Sequence, residues 1–406
     1  MTTISARRIC PFCRTELVLG ALPIVATNVR VDSTASGTEH NPEQMHSPIS
    51  GATIKGYVGI WPIIADPPLP SRSDEFWRWL SRQVTQAELP GVAAAADVTD
   101  LPARVCLHCE TPLPEDIDER NTFTIAVVGT TGAGKSHYLA SMLQQAANRQ
   151  QLRGVGCREF VLDERTSHSY TQKYLVPVFR ERVQLDHTLR DPEVARKPMV
   201  CRVTFDGAQP ALLFFHDIAG EVLVSREARA VDTPFLRQAD AVIFLVDPVH
   251  LDRPDGHTWS SNGIHDSGYA NQADLLNALL REMRSANRSV PVAITLSKSD
   301  LLETFLPVRH PREFRCEPDL SSREAWDESL GRVDIETREM LRRCGAFDVL
   351  SAADALDPEL ASFHAVAALG CRPDPETGQV PMLRPTRCLD PLVTVLHRMS
   401  GLTRAI

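Results

Sequence analysis

At 406 residues, with 43% hydrophobic and 23% charged side chains, the chain is long enough to bury at least one full core and has the composition of an ordinary globular protein. A formal net charge of -9 argues against nucleic acid or an anionic membrane surface as the main partner, because both reward a basic face. The apolar run over 18–26 is too short to span a bilayer and follows two cysteines rather than a basic leader, so a cytoplasmic protein is expected.

The first chemistry in the chain is ICPFCRTEL, which puts Cys10 and Cys13 on one tight turn, and VCLHCETPLP repeats the pattern with Cys106 and Cys109. Four thiolates are the ligand set of a closed, tetrahedral, structural Zn²⁺ site. The interval between the two knuckles far exceeds the usual spacing. Residues 1–118 are therefore expected to form one interrupted zinc ribbon with an inserted segment at about 28–100. A redox pair is the competing reading and lacks a βαβ context. Four sulfur ligands leave no open position, so the metal would serve folding and docking. The remaining cysteines, at 157, 201, 316, 344, 371 and 388, are scattered and read as buried thiols. Between the knuckles, a polar stretch over 27–52 reads as loop, GYVGIWPII as a strand and DEFWRWLSRQV as a short helix.

From Thr122 onward the pattern becomes strand, loop, helix, which predicts an α/β domain over 119–406, a P-loop NTPase three-layer fold with a mostly parallel sheet. Strands are expected at 123–129, 198–205, 211–217, 241–247, 290–297 and 362–366. Helical apolar spacing appears at Leu139, Met142, Leu143 and Ala146, and again at Leu275, Leu276, Leu279 and Leu280.

The first of these strands runs into Gly129, Thr130, Thr131, Gly132, Ala133, Gly134, Lys135 and Ser136, a full G-x-x-x-x-G-K-[ST] match that opens a helix, and these residues with the following His137 are the expected phosphate-binding segment. Glycines let backbone amides wrap phosphates, Lys135 supplies a point charge for the β- and γ-phosphates, and the Ser136 hydroxyl suits Mg²⁺. The third strand ends in Asp217-Ile-Ala-Gly220, where the carboxylate can hold the Mg²⁺ hydration shell and the Gly220 amide can sense a γ-phosphate. After the fifth strand, Ser297-Lys298-Ser299-Asp300 offers a carboxylate to the N1 and 2-amino donors of guanine, a pair adenine lacks. Lys298 would lay its stem across the ring. Ser297 stands where such motifs have Asn or Thr, which weakens the bracing of the phosphate loop but keeps a hydroxyl. Ala367 and Ala368, after the sixth strand, resemble the short S-A-x loop of GTPases whose amide meets guanine O6, although its Ser is absent here.

With these elements in this order, the stretch from about 120 to 400 resembles a TRAFAC-type GTPase, and most closely the double-GTPase domain family of bacterial multi-gene GTPase systems. The resemblance is carried by TIAVVGTTGAGKSHYLASML, FFHDIAGE, ADAVIFLVDP, ITLSKSD, FHAVAALG and RPTRCLDPLVTVL. It implies a regulatory GTPase that binds GTP or GDP with Mg²⁺ and works with GTPase-activating or effector proteins. Two departures bear on mechanism. The long interval from Lys135 to Asp217 implies an insertion around switch I, so its Mg²⁺-binding threonine is chosen as Thr188, with Thr166 and Thr171 as alternatives. Glu221 stands where many small GTPases have the water-orienting glutamine, which predicts slow intrinsic turnover. Lys135, Gly220 and Glu221 are thus the expected catalytic set. The competing functions are a non-hydrolysing GTP-binding scaffold and an ATP-dependent P-loop enzyme, the latter requiring SKSD to be an accident.

Overall fold

The computed structural model describes residues 10–11, 17, 24–25, 63–65, 103–104, 106, 113–114, 116–117, 119–148, 152–185, 198–220, 234–251, 271–286, 288–302, 311–318 and 322–399. The chain divides into two compact units, 1–121 and 122–406.

In the first unit, β1 (Ile24–Val25), β2 (Ile63–Ala65) and β3 (Ala103–Arg104) form an antiparallel sheet in the order β2-β1-β3. The register sets Ile24 opposite Arg104 and Val25 opposite Ala103, so the stretch that follows the first knuckle pairs with the stretch that precedes the second. β2 comes from the expected insert. Cys10 and Cys106 are buried. Cys13, Cys109, most of GYVGIWPII and all of DEFWRWLSRQV lie outside the described residues. Among the described residues, which include one cysteine of each knuckle, no group of His, Cys, Asp or Glu is arranged to hold a metal.

The second unit is built on a seven-stranded sheet in the order β10-β9-β8-β4-β7-β6-β5. Its strands are β4 (Asn121–Gly129), β5 (Cys157–Leu162), β6 (Met199–Phe205), β7 (Ala211–Ala219), β8 (Ala241–Val246), β9 (Val292–Leu296) and β10 (Ala361–Ala365). Pairings β4–β8, β8–β9 and β9–β10 are parallel, whereas β5–β6 and β6–β7 are antiparallel. Strands β8 and β9 are buried along their whole length, which is why they read as near-continuous apolar runs, broken only by Thr295, rather than as alternation.

Successive residues feed opposite faces. Ala126, Val128, Val242 and Phe244 join one core with Leu275, Leu276, Leu279 and Leu280 of α3 (Gln272–Ser285). Ile125, Val127, Ile243 and Leu245 join the other with Leu139, Met142 and Leu143 of α1 (Lys135–Ala147). The latter core also takes Leu392, Val395 and Leu396 of α7 (Asp390–Arg398). The remaining α-helices among the described residues are α2 (Glu164–Tyr170), α4 (Arg312–Arg315), α5 (Arg323–Arg343) and α6 (Phe347–Asp354).

All six expected strands are present within two residues of their expected ends. The seventh, β5, was not expected. It is the edge strand, and exposed or half-exposed Arg158 and Glu159 interrupt its apolar run. A second surprise follows α2, which continues as a π-helical stretch over Thr171–Glu181 with Pro177 inside it. Pro177 has no amide to donate within this stretch, and the stretch stops at Arg182, which turns left-handed at φ 57.

Candidate functional site

The site lies at the carboxyl ends of β4, β7, β9 and β10, where open α/β sheets hold ligands. β4 delivers the chain to Gly129. A Cβ there would lie 3.0 Å from the Leu245 carbonyl oxygen and 3.1 Å from Leu245 Cβ, so only glycine passes this close to β8. Gly132 and Gly134 are left-handed, at φ 81 and 82, and turn the loop back over the start of α1. Thr130, Thr131 and Ala133 complete the turn, with the Ala133 amide donating to Thr130 O at 3.1 Å. Lys135 folds onto its own loop and donates from Nζ to the carbonyls of Gly129 and Thr130, each at 2.9 Å. These backbone amides, the ammonium and the N-terminal end of α1 form a cradle of positive potential with the chemistry a phosphate needs.

Ser136 follows and donates from Oγ to Asp217 Oδ2 at 3.0 Å, linking α1 to the end of β7. Burial raises the Asp217 carboxyl above its ordinary value, against the opposing effects of Lys135 and the Ser136 hydrogen bond. A desolvated carboxylate beside a hydroxyl is a hard-oxygen pair suited to Mg²⁺, whose charge would relieve the cost of burying the anion. Gly220 is held tightly as well: a Cβ on it would sit 2.8 Å from Gly129 O and 2.7 Å from Leu275 Cδ2. The end of β7 therefore rests directly on the first glycine of the phosphate loop.

Of the threonines considered for switch I, Thr166 is buried and its Oγ1 accepts the Val200 amide at 2.9 Å, so this hydroxyl ties α2 to β6. Thr171 opens the π-helical stretch. Thr188 and Glu221 lie outside the described residues. Tyr174, which the sequence reading did not single out, stacks on Tyr170 with ring centroids 5.9 Å apart. Burial first, and the charge of Asp217 second, push its phenol up to about 12. His137, next to Ser136, accepts the Leu185 amide on Nε2 at 2.9 Å and so pins the chain that leaves the π-helical stretch.

On the other side of the site, the ladder of β8, β9 and β10 extends past the strand ends. Ser297 N donates to Val246 O at 2.9 Å, Val366 N to Leu296 O at 2.9 Å, and Ser299 N to Val366 O at 3.0 Å. These bonds bring SKSD beside Ala367 and Ala368. The Ser297 hydroxyl donates to Val246 O at 3.1 Å, so it holds β8 and not the phosphate loop. Lys298 is left-handed at φ 50 and its ammonium meets Asp247 Oδ2 at 2.7 Å. Asp300 sits in the 3-10 turn Ser299–Leu301. Ser141 of α1 donates to Ala368 O at 2.6 Å, which ties the loop after β10 to the phosphate-loop helix. His216, next to Asp217 on β7, is buried.

A doubly covered, mostly parallel sheet with a glycine-and-lysine loop between its central strand and first helix is a P-loop nucleotide-binding fold. The chain belongs to the Double-GTPase 2 family, which residues 123–340 match. A curated relative, a proposed ESX-1 scaffolding and assembly protein named SaeC from Mycolicibacterium smegmatis, is 25% identical over 326 residues, spanning 75% of this chain and 82% of the relative. Among solved structures, sup35 complexed with GDP aligns at 12% identity with a TM-score of 0.26, over 72% of this chain and 50% of that one. The same protein with GMPPNP aligns at 13% identity and a TM-score of 0.23, over 70% and 46%. The chain thus spans about half the length of these solved structures. No described helix is long and apolar enough to cross a membrane.

Proposed function

We propose that the protein is a GTP-binding and GTP-hydrolysing switch whose two nucleotide states are read by partner proteins in a bacterial multi-protein assembly. The observation that carries this reading is the convergence, in chain order, of four segments on one end of the sheet: 129–137, 217–220, 297–300 and 366–368. Family membership supports guanine nucleotide as the ligand, and the relative named for ESX-1 scaffolding and assembly supports a role among protein partners.

In this reading the amides of Thr130–Ser136 wrap the phosphates, and Lys135 exchanges the carbonyls of Gly129 and Thr130 for phosphate oxygens. Ser136 and Asp217 would hold Mg²⁺, which when bound would neutralise charge on the β- and γ-phosphates. The Gly220 amide reports the γ-phosphate to the chain beyond β7, and Asp300 with Lys298 selects guanine. Glu221, which follows Gly220 in the sequence where many small GTPases have glutamine, would take the water-positioning role, and its charge would slow the unassisted reaction. Cys10, Cys13, Cys106 and Cys109 together hold one structural Zn²⁺; burial of Cys10 and Cys106 and the β1–β3 pairing between the knuckles support that arrangement.

The test is to identify the bound nucleotide in purified protein by HPLC and then to follow phosphate release with and without candidate partners. Bound GTP or GDP with slow release that a partner accelerates fits the switch. Stable GTP with no release under any condition indicates the non-hydrolysing scaffold, and bound ATP or ADP the ATP-dependent enzyme. Metal analysis reading one zinc per chain fits the ribbon, and a reading near zero refutes it.

A further inference from the structure

Asp247 ends the apolar run of β8 and is completely buried. Its carboxylate accepts Lys298 Nζ on Oδ2 at 2.7 Å and the Val249 amide on Oδ1 at 3.0 Å. Its backbone is clamped as well: the Asp247 amide donates to Gln272 Oε1 at 2.6 Å, and Gln272 Nε2 donates back to the Asp247 carbonyl at 3.0 Å. Gln272 is the first residue of α3, is itself buried, and follows the cap made by Asn271, whose Oδ1 accepts the Ala273 amide at 2.8 Å.

The pair is lopsided. The Lys298 side chain keeps 29% of its surface exposed while Asp247 keeps none. A lysine with access to water does not need a buried partner, and a buried carboxylate is expensive unless a cation serves it. The arrangement makes physical sense when the carboxylate serves to fix where the lysine stem lies. Such fixing is needed here because Ser297 uses its hydroxyl on Val246 O, leaving the base-reading turn with no side-chain tether to the phosphate loop from that position.

We propose that Asp247 and Gln272 are positioning residues for guanine recognition: Gln272 fixes Asp247, Asp247 holds the Lys298 ammonium, and the Lys298 stem becomes a preset platform beneath the base that Asp300 reads. This rests on the proposed roles of Lys298 and Asp300. It also makes the start of α3 part of the base site, so a displacement of α3 reaches guanine affinity without touching the ligand.

The experiment uses the full chain and two probes by calorimetry: GDP, which engages both ends of the site, and inorganic pyrophosphate, which engages only the phosphate loop. Loss of a charge-assisted hydrogen bond in Asp247→Asn is expected to weaken GDP by about tenfold to a hundredfold. Pyrophosphate affinity stays unchanged, and Gln272→Ala shifts GDP in the same direction by a smaller factor. Unchanged GDP affinity in both variants, or equal losses for GDP and pyrophosphate, overturns the proposal, the second result marking a merely structural role. Should Asp247→Asn fail to fold, Gln272→Ala decides by the same two criteria. The preference of the unaltered protein for GDP over ADP is measured first. Its absence overturns the guanine reading and this proposal together, whereas its presence with unaffected variants overturns the positioning role alone.

Discussion

Replacing Gly220 with alanine adds one methyl group at the point where β7 meets the phosphate loop. Its Cβ would lie 2.8 Å from Gly129 O and 2.7 Å from Leu275 Cδ2, well inside ordinary carbon contact distance of about 3.5–4.0 Å. Neither neighbour can easily retreat. Gly129 is already pressed against Leu245, whose carbonyl oxygen would be 3.0 Å from a Cβ at 129, and Leu275 is fully buried in the core under α3. Overpacking of this kind costs about 1–3 kcal/mol. In a domain of this size that corresponds to a fall in melting temperature of about 2–10 °C. The alternative for the chain is to lift the end of β7 off the loop, which spares stability but moves the Gly220 amide away from the γ-phosphate position. Either route has a readout: thermal unfolding reports the first, and the ratio of GTP-analogue to GDP affinity reports the second. A variant with unchanged melting temperature and an unchanged ratio would refute the close packing of Gly220 on Gly129.

Asp300→Asn is expected to weaken GTP and to admit xanthosine triphosphate, since an amide donates where xanthine presents an acceptor; competition binding with both nucleotides checks this. His364 is buried on β10, and burial first, then Arg398 and Arg387, lower its pKa to about 3. A folded value below the ordinary 6.5 means that the neutral imidazole favours folding above that pH and that this stability is lost as pH falls from about 6.5 toward 3, by up to about 5 kcal/mol. Urea unfolding across that range should show a flatter profile for His364→Asn. Arg387 is buried and donates to Asp390 Oδ2 at 2.6 Å, Ser329 Oγ at 3.0 Å, Cys316 O at 3.0 Å and Glu313 O at 3.3 Å, so Arg387→Met strands a buried carboxylate and should cost about 3–5 kcal/mol by urea unfolding. Much of that loss should return in the double variant with Asp390→Leu.

The phosphate loop is legible in the sequence because its requirements are local: positive φ at Gly132 and Gly134, a close pass at Gly129, and a lysine at the first helical position. The strands of the central sheet are legible for a similar reason, since burial on both faces leaves β8 wholly apolar and β9 apolar but for Thr295. What was not legible depends on partners distant in the chain. Asp247 looks like an ordinary strand terminator, and Gln272 like a polar residue at a helix start. Only the fold joins them, and joins Asp247 to Lys298. Arg387, in an arginine-rich sequence, carries no local mark of its four acceptors. The edge strand β5 hides because Arg158 and Glu159 give it the pattern of a loop.

The inserted region between the phosphate loop and β6 raises a mechanical question, because a long insertion can disconnect a switch segment from the nucleotide it must sense. The chain avoids this with a strap. After the π-helical stretch, Val183 pairs with Gln379, Gln184 N donates to Gly378 O at 2.9 Å, and Val380 N donates to Arg182 O at 2.7 Å. Leu185 N then donates to His137 on α1 at 2.9 Å. The opposing loop is itself preset, since Asp374 Oδ1 accepts the amides of Glu376 and Thr377 and the Thr377 hydroxyl. At its base Ala367 pairs with Thr386, and Ala368 O takes the Ser141 hydroxyl. Residues 182–185 are therefore bonded both to the phosphate-loop helix and to the loop that flanks the base-reading turn. Hydrogen bonds of this kind contribute about 0.5–1.5 kcal/mol each net, so releasing the three made by residues 182–185 costs on the order of 1.5–4.5 kcal/mol. A bound γ-phosphate can shift an equilibrium only by its differential affinity for the two states, and a few kcal/mol lies within that reach. In the proposed switch, a strap of this strength would hold one arrangement and still lie within reach of a ligand's preference for another, so the chain as far as Leu185 is tied to the helix that opens at the phosphate loop.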